Sequence, residues 1–192
     1  MLPAIAVFAK APIPGRVKTR LAADLGDVEA ARRYEQMVSM LLRRLIKAAN
    51  SLASDIELHT DTPSDAWTAF PVTRHLQVDG DLGDRMLHSL ETGLATGRPS
   101  FLILGGDVPT VPVDFLHRLF DAPEDVVLGP AEDGGYYAIC CRKTHKNMFA
   151  NVEWSTKNAC EQTAAACRLA GLSVGIGPTW FDIDEPSSLD RI

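Results

Sequence analysis

Apolar runs of strand length alternate with amphipathic stretches of helix length along most of the chain. Ala4–Ala9 (Ala-Ile-Ala-Val-Phe-Ala) is apolar without period-two alternation, as expected of a strand covered on both faces in a parallel sheet. Pro12, Pro14 and Gly15 then bar helix and predict a loop reaching to Arg20. Beyond it, Tyr34, Met37, Val38, Leu41, Leu42, Leu45, Ile46 and Ala49 recur at helical spacing, with Asp27 placed to cap the helix. Asp55–Thr60 alternates polar and apolar residues and predicts a strand nearer a sheet edge, in which His59 faces polar surroundings. Thr62–Pro71 reads as loop with a turn around Trp67, and Thr73–Val78 as a short strand.

The second half continues the pattern. A tight turn at Gly80 and Gly83, with Asp81 or Asp84 as cap, precedes a helix from Met86 to Ala95. Ser100–Leu104 is the clearest buried strand and is followed by a helix over Val113–Phe120. Val126–Leu128 predicts a strand, Gly129–Gly135 a glycine-rich loop, and Tyr136–Cys141 another strand. Ser155 or Thr156 caps a helix running to Ala170, in which Cys160 and Cys167 share a core-facing side. From Trp180 to Pro186 apolar and acidic residues alternate, so strand geometry sends Asp182 and Asp184 to one face. On a second reading Asp184 caps a helix over Glu185–Arg191, with Pro186 in its first turn. Together these elements predict a three-layer α/β/α domain with a mainly parallel sheet, one domain over residues 1–192.

With 192 residues, 46% hydrophobic and 23% charged, the chain can bury a core without a metal or disulfide scaffold. No apolar run reaches the length of a membrane span, and the N-terminal residues lack a secretory pattern. Cys140, Cys141, Cys160 and Cys167 form no Cys-x-x-Cys pair and have no histidine at zinc-ligand spacing, so they read as reduced thiols in a cytoplasmic protein. A net charge of -6 leaves no footprint for nucleic acid or an anionic membrane.

Against that acidic balance, Lys10, Arg16, Lys18 and Arg20 crowd into one loop. Like charges about 4 Å apart repel by roughly 4 kcal/mol at an effective dielectric near 20, so close packing favours an anion, for which a phosphate chain serves. The loop follows a parallel strand, where α/β sheets bind ligands, although a solvated basic loop has the same composition. It is not a Walker A loop, because too few residues separate Gly15 from Lys18. Asp107, at the end of the buried strand beside Gly105 and Gly106, is placed to hold Mg²⁺ or to cap a turn. Gly134 and Gly135 let backbone N–H groups approach a ligand, and a helix start at Ser155 and Thr156 suits an anion or simply a cap.

Ala9–Leu21 (Ala-Lys-Ala-Pro-Ile-Pro-Gly-Arg-Val-Lys-Thr-Arg-Leu), Gly80–Met86, Leu128–Tyr137 and Glu153–Thr156 together resemble the DUF2064 family, a group similar to nucleotide-diphospho-sugar transferases of the GT-A fold. The resemblance implies a nucleotide held by Ala9, Lys10, Gly15, Arg16, Lys18, Arg20, Gly80, Gly83 and Arg85. It implies an acceptor pocket formed by Asp133, Gly134, Gly135, Ser155 and Thr156, with Asp133 binding or deprotonating the acceptor. A metal, Mg²⁺ or Mn²⁺, would lie on Asp107 with Asp182 or Asp184 as second ligand, Asp184 being preferred. Gly106 and Val108 depart from the family pattern around that aspartate.

The expected activity is nucleotidyl transfer from a nucleoside triphosphate to a small phosphorylated or anionic acceptor, with Lys18, Arg20, Asp107 and Asp133 as the catalytic set. Glycosyl transfer from a nucleotide-diphospho-sugar is the alternative; its Asp-x-Asp motif is replaced here by Gly105-Gly106-Asp107. A nucleotide-binding module without turnover is the third reading. The implied partners are a nucleotide and a small acceptor, with a homodimer left open.

Overall fold

The computed structural model describes residues 1–184, 188 and 191. In chain order its elements are β1 (Ala4–Ala9), α1 (Thr19–Leu25), α2 (Asp27–Leu52), β2 (Asp55–Thr60), β3 (Thr73–Leu76), α3 (Leu82–Ala95), β4 (Phe101–Gly105), α4 (Val113–Asp121), β5 (Val126–Pro130), β6 (Tyr136–Cys141), α5 (Ala159–Leu169) and β7 (Val174–Ile176). The strands form one sheet in the order β3-β2-β1-β4-β6-β5-β7. Pairs β3·β2, β2·β1, β1·β4 and β5·β7 are parallel, and β6 is antiparallel to both β4 and β5. This is the expected α/β class with a mainly parallel sheet.

Alternate residues of the central strands feed two cores. Ile5, Val7, Leu102 and Leu104 pack with Val38, Leu41, Leu42 and Leu45 of α2 and with Leu116 and Leu119 of α4. Ala4, Ala6, Phe101 and Ile103 pack on the other face with Met86 and Leu90 of α3 and with Ala164 and Cys167 of α5. Both faces of β1 are therefore apolar because both are covered, which removes the alternation a half-exposed strand would show. Cys160 packs at the margin of the second core, and the four cysteines are free.

Several expected boundaries move, each for a visible reason. The basic loop stops early, because α1 starts at Thr19 with Lys18 in its N-cap position. Asp27 does not cap α2: Gly26 occupies the N-cap position without a side-chain hydrogen bond, and Asp27 is the first helical residue. β2 lies between β1 and β3 rather than near an edge, and Ile56 to Thr60 are all buried. Its polar residues tolerate this because Glu57 pairs with Arg98 at 3.1 Å and His59 bonds Ser89 of α3 at 3.1 Å. β3 ends at Leu76 and forms the edge.

α3 begins at Leu82 instead of Met86, since Asp81 and Asp84 form a reciprocal capping box, and Gly83 is therefore helical instead of part of the turn. Neither Ser155 nor Thr156 caps α5, which starts at Ala159 after Asn158. Ser155 adopts a left-handed conformation, and Thr156 Oγ1 instead donates to the Glu153 carbonyl and accepts the Asn158 N–H. β7 had no period long enough to mark it. Residues 181–184 form no strand, although they alternate buried and half-buried. The helix expected over Glu185–Arg191, with Pro186 in its first turn, falls largely outside the described residues.

α3 crosses β4 so closely at Gly93 that a Cβ there would stand 2.2 Å from the Phe101 ring. We expect Gly93→Ala to lower stability by roughly 1–3 kcal/mol through overpacking, against a helix-propensity gain of about 1 kcal/mol. The check is urea denaturation; an unchanged midpoint would show that the ring yields freely.

Candidate active site

The carboxyl ends of β1 and β4 open into a cleft of about 550 Å³, walled by the Lys10–Arg20 segment, the start of α3 and the Asp133 turn. Parallel strands ending together leave such a crevice because their following loops diverge to opposite faces of the sheet. On its floor Asp107 follows β4, and its backbone carbonyl accepts the Ile183 N–H at 3.0 Å. Ile183 and Phe181 are buried against Leu21, Ala30 and Met37. That anchoring brings Asp182 and Asp184 beside Asp107, with carboxylate oxygens of all three within 4.8 Å of one another.

Lys18 answers this charge. Its Nζ lies 3.1 Å from Asp107 Oδ2 and 2.5 Å from Asp184 Oδ1, and its side chain is 5% exposed. Burial alone would lower its pKa, but Asp107 and then Asp184 outweigh burial and hold the ammonium well above its ordinary range. Arg20 stands farther out, Nη1 3.7 Å from Asp184 Oδ2. Among the described residues Asp182 has no comparable cation: burial first, then Asp107, Asp184 and Asp133, push its carboxyl up to about 6. The segment is aimed by strain, because Lys18 holds φ of 47°, a left-handed conformation costing a residue with Cβ roughly 1–2 kcal/mol.

A second, more apolar lobe of about 230 Å³ adjoins the first and adds Met86, Gly135, Trp154, Thr156 and Ala159 to its walls. Phe8, Leu82, Asp133, Tyr136 and Ser155 border both lobes. Ser155, at φ of 62°, is the second left-handed residue with a side chain on this wall. The Asp133 turn is braced from behind: Gly134, at φ of 90°, lies so close to Lys157 that a Cβ would come within 2.0 Å of its carbonyl oxygen.

The cleft thus gathers Ala9, Lys10, Lys18, Arg20, Arg85, Asp107, Asp133, Ser155 and Asp184 from the expected set, while Gly135 and Thr156 line the second lobe. Gly15, Arg16, Gly80, Gly83 and Gly134 line neither lobe. Gly80 acts from behind, its carbonyl accepting Arg85 Nε–H at 3.0 Å. The expectation that Gly134 and Gly135 offer free amides is corrected: Gly134 N–H donates to the Ala131 carbonyl and Gly135 N–H to Asp133 Oδ1. Residues not foreseen include Tyr34, whose Oη accepts the Lys10 N–H at 3.0 Å, and Gln77. Neither carries a local signal, since Tyr34 reads as part of the α2 stripe and Gln77 as the end of a strand. An all-oxygen trio of this spacing could hold a divalent cation.

Residues 41–156 match the family described as "Uncharacterized protein conserved in bacteria (DUF2064)". The chain is 30% identical to a putative nucleotide-diphospho-sugar transferase from Desulfovibrio desulfuricans, whose crystal structure superposes with a TM-score of 0.83 over 95% of this chain and 82% of that one. It is 28% identical over 183 residues, 94% of this chain and 82% of the relative, to a 2-phospho-L-lactate guanylyltransferase of Haloarcula marismortui. The inositol-1-phosphate CTP transferase from T. maritima, 14% identical, shares the fold, with a TM-score of 0.57 over 96% of this chain and 90% of that one. No helix among the described residues is long and apolar enough to cross a membrane.

Asp182 supplies a pH test. Its pKa rises from 3.8 unfolded to about 6 folded, so it favours the folded state fully below pH 3.8, and that contribution is lost as pH rises through 6. In chelator, Asp182→Asn is expected to flatten the fall in stability across this window and to raise the melting temperature at neutral pH. A variant with an unaltered pH profile would show that Asp182 is not strained by its neighbours.

Proposed function

The chain belongs to the DUF2064 family, and from that premise we propose that it is a metal-dependent nucleotidyltransferase. The acceptor's oxyanion attacks the α-phosphorus of a nucleoside triphosphate; the new P–O bond forms as the bond to the bridging oxygen breaks, and pyrophosphate leaves. The observation that carries this reading is the pairing, within one cleft, of Asp107 and Asp184, with Asp182 close beside them, and cations on a strained loop. A triphosphate needs both, cations for its free oxygens and a divalent ion to bind alongside.

Lys10, Arg20 and Arg85 offset charge along the phosphate chain, and Lys18 adds its charge from among the carboxylates. Asp107, Asp184 and Asp182 would hold Mg²⁺ or Mn²⁺, which would supply positive charge for the phosphate chain and the leaving pyrophosphate. Asp133, exposed where the lobes meet, orients the acceptor, which occupies the second lobe near Gly135, Ser155 and Thr156. An acceptor that is already an anion needs no strong general base, consistent with the absence of histidine from both lobes among the described residues. The Haloarcula relative is named for guanylyl transfer to 2-phospho-L-lactate, so GTP and a phosphorylated hydroxy acid are the first donor and acceptor to test. The free cysteines suit a reducing compartment such as the cytoplasm.

Glycosyl transfer keeps one specific support. Asp182-Ile183-Asp184 has the Asp-x-Asp pattern, and although late in the chain it meets Asp107 in the cleft. Binding and product assays separate the readings. With magnesium, a triphosphate is expected to raise the melting temperature more than any nucleotide-sugar, and pyrophosphate should be released when acceptor is added. Preferential stabilisation by a nucleotide-sugar would overturn nucleotidyl transfer.

Asp107→Asn is expected to cut turnover by about 10²-fold or more, as does loss of one charge-stabilising group elsewhere. Its circular dichroism should match the parent. Full turnover in this variant would remove Asp107 from the metal site.

A further inference from the structure

A second cluster lies under α3, two strand spacings or about 10 Å across the sheet from Gly105. Parallel pairing of β2 with β3 sets His59 directly opposite His75, and Glu57 lies two residues before His59 on the same face. Glu57 Oε2 is 3.0 Å from His59 Nε2 and 3.6 Å from His75 Nε2. We propose that Glu57, His59 and His75 form a zinc-type divalent-metal site, separate from the acidic trio of the cleft and distinct from it in ligand chemistry.

Three features support it. Around a tetrahedral zinc with donors about 2.1 Å away, neighbouring donor atoms stand roughly 3.4 Å apart, and the two spacings lie on either side of that value. All three donor atoms fall within 4.8 Å of one another. The outer supports are also present: His59 Nδ1 bonds Ser89 Oγ at 3.1 Å, leaving Nε2 toward the cluster, and Arg98 Nη2 donates to Glu57 Oε1 at 3.1 Å, leaving Oε2 toward the two imidazoles.

An entry path and space complete the site. The His75 side chain is 46% exposed, and the donors border a cavity of about 120 Å³, large enough for an ion and a water as fourth ligand. A metal at His59 Nε2 takes the place of the hydrogen bond to Glu57, and the single ring proton is then carried on Nδ1 toward Ser89 Oγ. Imidazole donors select zinc-like ions where a carboxylate-only site suits magnesium.

Such an ion would pin the edge strand β3 to β2. Gln77, just after β3, donates to the His59 carbonyl at 2.9 Å and lines the cleft, so the ion also stiffens one cleft wall.

The test uses the full chain stripped by chelator and then held in millimolar Mg²⁺, which occupies the oxygen-only trio. Zn²⁺ is expected to bind one per chain and raise the melting temperature, and Co²⁺ to give the visible bands of a histidine-ligated ion. His75→Ala, at a half-exposed position, should weaken Zn²⁺ binding beyond the roughly 10–100-fold loss typical of an outer partner such as Ser89→Ala. Asp184→Asn should leave it unchanged. No Zn²⁺ binding in Mg²⁺, or binding equally tight in His75→Ala, overturns the proposal.

Discussion

Three carboxylates cannot share one end of a sheet without a cation among them. Asp107, Asp182 and Asp184 converge because the Ile183 amide is tied to the Asp107 carbonyl while Phe181 and Ile183 are buried beside α1 and α2. Apolar burial thus brings like charges together, and Lys18 keeps them from driving the segment away. A buried ion pair recovers its desolvation cost only when geometry is good and both partners stay, and removing one typically costs 3–5 kcal/mol. The carboxylates that hold Lys18 in place also have the spacing that could hold a divalent cation.

Backbone strain surrounds these carboxylates. Lys18 sits at positive φ and reaches inward, whereas Arg20, two residues on, stays mostly in solvent. Across the cleft Ser155 is also left-handed, and the turn before it is wedged against Lys157 at Gly134. Neither conformation is favoured locally, so packing around the cleft must impose them. Antiparallel β6 contributes as well: its pairing with β5 places the Asp133 turn at the same end as Asp107, between a charged lobe and an apolar one.

Legibility in the sequence differed by element. The core strands β1 and β4 and the long helix α2 follow from unbroken apolar patterns, whose burial needs no knowledge of partners. β2 misled because its alternation suggested one wet face, yet Glu57 and His59 are buried through Arg98 and Ser89, residues more than 25 positions away. α5 misled because Ser155 and Thr156 have capping chemistry, but Thr156 is spent in a preceding turn and Ser155 is held in a left-handed conformation. Within the site, the basic segment and Asp107 were legible as local charge at a strand end, whereas the free amides expected at Gly134 and Gly135 are consumed by bonds within their own turn.

The sequence by itself determined which stretches must be buried, hence the layered α/β class, and which short segments carry charge dense enough to need a counterion. Hydrophobic period and charge density are local properties, readable within a dozen residues. Only the tertiary structure decided which charges meet. Lys18 faces two aspartates 89 and 166 positions along the chain, and His59 meets His75 through strand register rather than any ligand spacing. Electrostatic contacts depend on distances of a few ångströms between remote segments, and those distances are set by how the apolar layers close, which no local pattern encodes.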